Sequence, residues 1–241
     1  MRIIAQQTDA LNTYDFWNNV IEKDYIDSMA INIALTKDNR VVTYNIYTNI
    51  DANINTIENS SLDDLGNYEI ELFEDTLKNL NSKNLQKDIN INIAPFRTGQ
   101  LTEENIQATS KRINLYIDKI KESIDKYPNL KVHLHTVNRS IATVLKDKIK
   151  NHRIGFVISN RDLNFIDVNY YVMTMNAFND TITDLLLREN KEVILYVNSD
   201  YYISFIYDHY MGEKSTPHLQ QVFKQLGLLT NYPEVINKVF N

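Results

Sequence analysis

Residues 28–44 read SMAINIALTKDNRVVTY, and the spacing inside that stretch decides how the chain is organised. Residues 28–35 form a β-rich run, and Val41-Val42-Thr43-Tyr44 form a second. Only Lys37-Asp38-Asn39-Arg40 separate them after Leu35-Thr36. So tight a connection cannot join parallel strands, which need a long crossover. The pair is therefore a β-hairpin with Asp38-Asn39 in its turn.

Elsewhere the chain follows a different rule. Strands are predicted at residues 2–5, 28–35, 89–93, 131–136, 155–159, 170–175, 192–197 and 227–230. Helical patterns cover 13–23, 73–79, 103–126, 140–150, 177–188 and 216–226. Strands separated by helices imply right-handed crossovers and a parallel sheet. Eight such units favour closure into a TIM (β/α)8 barrel, which typically takes about 250 residues. The chain has 241. The expected fold is one α/β domain over residues 1–241, a barrel with an appended β-hairpin after strand 2. The polar stretch 46–64 reads as a loop over the barrel mouth.

Composition narrows the function classes. A net charge of -6 and an isoelectric point near 5.4 argue against a nucleic-acid footprint. There is no cysteine, so disulfides, thiolate metal sites and cysteine nucleophiles are excluded. No apolar run approaches the roughly 20 residues of a membrane span, and the opening MRIIAQQTD lacks the long apolar core of a secretory signal. The expected location is the cytoplasm. No Gly-x-Gly-x-x-Gly, Walker-type or Gly-x-Ser-x-Gly motif is present. The chain carries 31 Asn against 5 Gly and 4 Pro. Asn closes turns and caps helices, although codon bias accounts for such a total equally well.

In a barrel of this type the active site lies at the C-terminal ends of the strands. Those ends here carry Gln6-Gln7, Asn32, Asn92, Thr136, Asn160, Asn176, Asn198 and Asn231. They are almost uniformly neutral. Asp9 and Asp200 are the clearest carboxylates near the mouth. Both also suit ordinary turn or helix-capping roles.

The stretch IAQQTDALNTYDFWNNVIEKDYIDSMAINIALTKDNRVVTYN resembles the opening of glycerophosphodiester phosphodiesterases. Asn12-Thr13 and Leu35-Thr36-Lys37-Asp38 match parts of that family's pattern. Further on, DININIAPF, VILYVN and LGLLTNYPEVI resemble three later segments in the same order. The resemblance implies a barrel, a phosphoric diester hydrolase of lipid metabolism, and Ca²⁺ or Mg²⁺ as cofactor.

The functional residues that the resemblance implies are missing. Gln6 stands at a catalytic His position and Gln7 at a phosphate-binding Arg. Ala30, Asn32 and Asn92 stand at metal-binding carboxylates. Tyr44 and Asn45 replace a second catalytic His and its neighbouring Asp, Ala94 replaces a Lys, and Asn231 replaces an Asp. The loop after Gln7 is also about four residues shorter than the resemblance implies. A positioned acid or base contributes roughly 10²–10⁴-fold, so losing both removes about 5–11 kcal/mol if they act independently, and less if they act as a unit. Hard cations need anionic oxygens, which amides do not supply.

The leading expectation is a pseudoenzyme with no metal and no intact catalytic residue. It would bind an unidentified small molecule or protein in a pocket of Gln6, Gln7, Asn32, Tyr44, Asn45, Asn92, Asn198 and Asn231. In that pocket Tyr44 would offer a stacking face and a hydroxyl. The alternative is an active phosphoric diester hydrolase with a rebuilt site drawing on His135, Asp200 or Arg161.

Other groupings read as structural. His133-x-His135 places two imidazoles on one strand face, expected to be a polar face beneath a helix rather than a metal site. His152 and His209 read as helix-end or loop residues. His218 follows Pro217 at a helix start. Arg139 and Arg161 lie just past strand ends, where solvated loop positions are the ordinary outcome. The 15 Tyr are expected to fill the layer between helices and barrel, and any exposed patch of them would point to a protein partner.

Overall fold

The computed structural model describes residues 1–7, 13–45, 54–66, 68, 70–96, 102–159, 165–213 and 215–240. Its ten strands are β1 (Arg2–Gln6), β2 (Ser28–Leu35), β3 (Val41–Tyr44), β4 (Glu71–Leu72), β5 (Asp88–Ile93), β6 (Val132–Thr136), β7 (Arg153–Ile158), β8 (Tyr170–Thr174), β9 (Glu192–Val197) and β10 (Gly227–Thr230). They hydrogen-bond in the order β1-β10-β9-β8-β7-β6-β5-β2-β3-β4, and β1 also pairs with β2. That last pairing closes a ring of eight parallel strands. The barrel and its appended hairpin are as the sequence predicts.

Among the described residues nine α-helices surround the ring: α1 (Thr13–Ile21), α2 (Ile54–Asn59), α3 (Phe73–Ser82), α4 (Glu103–Asp125), α5 (Arg139–Lys148), α6 (Asp180–Arg188), α7 (Asp200–Tyr210), α8 (Pro217–Lys224) and α9 (Pro233–Phe240). Three of them, α2, α7 and α9, were not expected. The predicted loop 46–64 contains α2 and reaches a short 3-10 turn at Asp63–Leu65, while residues 46–53 lie outside the described residues.

A barrel has two interiors, and strand alternation sorts residues between them. On β5, Ile89, Ile91 and Ile93 face outward into the main core, where helix side chains such as Phe73, Tyr116 and Ile120 cover them. Asp88, Asn90 and Asn92 fall on the opposite face, inside the ring. β2 repeats the rule with Met29, Ile31, Ile33 and Leu35 outward. A second cluster of Ile4, Ala30, Tyr170, Val172, Ile194 and Leu229 fills the barrel centre. At about 25 cal/mol per Å² of apolar surface, the larger outer layer supplies most of the burial energy.

The inner ends of the barrel are polar. At the floor, Arg2 donates to Glu192 at 2.9 Å and Arg153 pairs with the same carboxylate at 2.7 Å. His133 Nε2 lies 3.0 Å from Asp88 Oδ2. The His133 and His135 side chains thus point into the barrel, not beneath a helix. This corrects the sequence reading. Alternation alone puts both on one face but does not say which face lies under the helices, and here Val132 and Leu134 take that side.

The hairpin rises beside the mouth. The edge of β2 that pairs with β1 over Ser28–Ala30 continues upward against β3, from Asn32↔Tyr44 to Leu35↔Val41. Its turn is held by Thr36, whose hydroxyl donates to Asp38 Oδ1 at 2.6 Å and accepts from the Arg40 amide at 2.9 Å. Asn39 adopts a left-handed φ of 62° there. Asn84 and Asn190 do the same after α3 and α6, with φ of 51° and 57°. Asn tolerates this region better than other non-glycine residues. Asn138 and Asn179 cap α5 and α6 by accepting from Ile141 and Ile182 amides. Part of the Asn excess therefore has a conformational use in a chain with few glycines.

Candidate functional site

The strand ends converge on a mouth whose β1–β2–β5 side is lined by amides. Gln6 ends β1 and is 6% exposed, and its Oε1 is buried with no hydrogen-bond partner among the described residues. Asn32 on β2 and Asn92 on β5 stand opposite each other in register. Asn92 Nδ2 donates to Asn32 Oδ1 at 2.9 Å. One layer down, Asn90 is 1% exposed, and neither its Oδ1 nor its Nδ2 has a partner among the described residues. Asn231 follows β10 and donates to the Gln7 carbonyl at 3.1 Å, tying the first and last strands together.

On the β7–β9 side, Tyr196 and Val157 pack against the central cluster, in register with Leu229 and Val172. The expected pocket residues therefore divide. Gln6, Asn32 and Asn92 line the barrel wall, with Gln7 and Asn231 joined beside them. Asn198 is exposed beyond β9. Asn45 is buried just after β3.

Tyr44 takes a different place from the one expected. Its ring packs with Ala34, Val42, Ile57, Leu65 and Ala94 in a small core beneath the hairpin and α2, and it is 3% exposed. It offers no open stacking face. Burial, with the nearby Glu58 carboxylate adding to it, raises the Tyr44 phenol well above its ordinary range. The group stays protonated and neutral.

Tyr170 and the sequence-predicted candidate His135 shape the interior together. Tyr170 lays its ring over the neighbouring strand at Gly155, where an added Cβ would lie 2.5 Å from ring carbons. Its hydroxyl lies 3.1 Å from Nδ1 of His135. His135 is 2% exposed. Burial and the neighbouring His133 lower its pKa to about 3. Burial also raises the Tyr170 hydroxyl. The pair is neutral around pH 7. A signal for this interior was available in the sequence: Asp88-x-Asn90-x-Asn92 alternating with three isoleucines marks a polar inner face.

Asp200 is an exposed residue in the first turn of α7, which Ser199 caps by accepting from the Tyr202 amide. Arg139 is exposed and donates to the Phe165 carbonyl at 3.3 Å. His209 pairs with Asp180 at 2.7 Å on the outer helices, and His152 lies 3.2 Å from the Val132 carbonyl. His218 begins α8 after Pro217, as expected. Asp9, Asn160 and Arg161 lie outside the described residues. Among the described residues no group of three or more His, Cys, Asp or Glu could hold a metal ion. No described helix is long and apolar enough to cross a membrane.

The chain superposes over nearly its whole length on several solved barrels. A glycerophosphodiester phosphodiesterase from Parabacteroides distasonis aligns over 99% of this chain and 95% of its own, with a TM-score of 0.71 and 14% identity. The chain has the glycerophosphodiester phosphodiesterase fold. A phosphodiesterase from Oleispira antarctica in complex with the product sn-glycerol-3-phosphate aligns over 99% and 96%, with a TM-score of 0.70 and 12% identity. A glycerophosphodiester phosphodiesterase from Thermotoga maritima aligns over 98% and 97%, at 0.63 and 15%. No protein-family model matches the sequence, and no curated protein matches it. The likeness therefore rests on backbone geometry.

Proposed function

We propose that this chain is a glycerophosphodiester phosphodiesterase-like barrel that has lost the inherited hydrolysis and acts by binding a ligand or partner at its mouth. The observation that carries the reading is the Asn92–Asn32 hydrogen bond. It joins two neutral amides at positions where the resemblance implies carboxylates around a cation. Carboxylates facing one another repel unless a cation lies between them, whereas two amides satisfy each other without one. The donor set does not fit Ca²⁺ or Mg²⁺, which need anionic oxygens to offset their dehydration.

Proton transfer fares no better. Gln6 and Gln7 cannot exchange protons near neutral pH, and Tyr44 is held protonated. His135 is held neutral, with a pKa too low for an effective base at pH 7. The proposal places the protein in the cytoplasm, which fractionation of the source cells tests.

Calorimetric titration of Ca²⁺ and Mg²⁺ into the purified chain tests the reading. The expected result is no saturable heat at millimolar metal. A one-site isotherm that disappears in Asn32→Ala would refute it.

A further inference from the structure

The Asn32–Asn92 pair also specifies what kind of ligand the mouth can satisfy. This inference rests on the reading above, that the mouth binds without hydrolysing. Once Asn92 Nδ2 donates to Asn32 Oδ1, the free carbonyl oxygen of Asn92 and the free amide nitrogen of Asn32 stand side by side, and the pair keeps both N–H groups to donate and lone pairs to accept. Exchanging oxygen and nitrogen in both amides reverses the bond but leaves the same mixed complement of donors and acceptors. Gln6 adds a buried acceptor without a partner among the described residues. Asn90, 99% buried, adds an unsatisfied donor and acceptor beneath them.

Such a surface discriminates by charge type. An anion accepts only, so the carbonyl oxygens beside the donors would face it unfavourably. A cation meets the reverse problem. A hydroxyl both donates and accepts, and two adjacent hydroxyls match a donor-acceptor pair of amides directly. Buried amides left unpaired by the wrong ligand cost about 1–3 kcal/mol each, which makes the preference substantial. On the β7 and β9 strands of the ring, the part-buried Val157 and Tyr196 supply apolar surface against which the C–H face of a sugar ring would pack.

We propose that the mouth binds an uncharged polyhydroxylated ligand, a sugar or polyol, whose neighbouring hydroxyls pair with the Asn32–Asn92 amides while its C–H face lies toward Tyr196. Free sugars and the terminal residue of a glycan share this chemistry.

Saturation-transfer NMR on the full chain tests it, with methyl glycosides, a short oligosaccharide and myo-inositol as neutral probes. Inorganic phosphate and sn-glycerol-3-phosphate are the charged comparators. The expected result is saturable millimolar binding of at least one neutral probe, not displaced by phosphate. Asn92→Ala should weaken it about tenfold, the loss of one or two neutral hydrogen bonds. A stronger signal from the oligosaccharide than from the methyl glycosides would assign the site to a glycan end, and the reverse to a free sugar. Asn92→Ser, which is smaller in its disturbance, serves if Asn92→Ala fails to fold.

The proposal is overturned if no neutral probe binds, or if binding is unchanged in both variants. Binding of sn-glycerol-3-phosphate alone would sink the ligand class but leave the non-hydrolytic reading standing. Metal-dependent hydrolysis of a glycerophosphodiester would sink that reading itself.

Discussion

Asn92 donates its side-chain amide to Oδ1 of Asn32 at 2.9 Å, across the junction of two parallel strands at the barrel mouth. Asn32 is 5% exposed and Asn92 is half-buried, so the bond closes the bottom of the mouth from one side. Asn92→Ala should leave the buried Asn32 oxygen without its donor. The expected cost is about 1–3 kcal/mol, read as a lower urea midpoint with an unchanged slope. An unchanged midpoint would mean that the two amides do not depend on each other.

Burial of neutral His135 makes stability depend on pH. Its folded pKa of about 3 lies below the ordinary value of 6.5. The unfolded chain therefore binds a proton at His135 that the folded chain does not, and stability is full above pH 6.5. It is lost progressively as pH falls from about 6.5 toward 3, by an amount on the order of a few kcal/mol. In His135→Gln the loss over that window should shrink when unfolding is followed across pH. An identical pH profile for wild type and variant would contradict the assignment.

Tyr170 and Gly155 should prove interdependent. A methyl at position 155 would sit 2.5 Å from the Tyr170 ring, inside a packed barrel that leaves the ring little room to move. Gly155→Ala should cost about 1–3 kcal/mol. Combining it with Tyr170→Leu should be markedly less damaging than the sum of the two single changes, measured as a double-mutant cycle. Simple additivity would show that the ring relaxes freely.

At the hairpin turn, Asn39 occupies left-handed backbone space with φ of 62°. Asn39→Ala should destabilise by about 1 kcal/mol, and Asn39→Gly should be neutral or mildly stabilising in thermal unfolding. The opposite order would place the strain elsewhere in the turn.

The eight barrel strands were legible because each is a short apolar run between longer amphipathic patterns. The hairpin was legible because four residues cannot span a crossover. α7 escaped because DYYISFIYDHY is apolar nearly all round, so the helical period is blurred by Tyr201, Phe205 and Tyr207, which remain exposed. α9 was hidden behind Pro233, which can open a helix as readily as follow a strand. The orientation of His133 and His135 was not legible, since a strand's alternation is symmetric and only packing breaks the tie. The tyrosine expectation fits Tyr116, Tyr171 and Tyr210 in the outer layer, whereas Tyr170 and Tyr196 belong to the barrel interior, Tyr44 supports the hairpin, and Tyr201, Tyr207 and Tyr232 are exposed. The uncharged character of the strand ends could be read directly. Which of those amides face one another could not, because register is a property of the closed sheet.

One assay bears on the account more directly than any other. The purified chain is incubated with a glycerophosphodiester such as glycerophosphocholine, with Ca²⁺ or Mg²⁺ added, and released sn-glycerol-3-phosphate is measured. The account predicts release no faster than in buffer, with or without metal. Metal-dependent release that Asn32→Ala abolishes would contradict it.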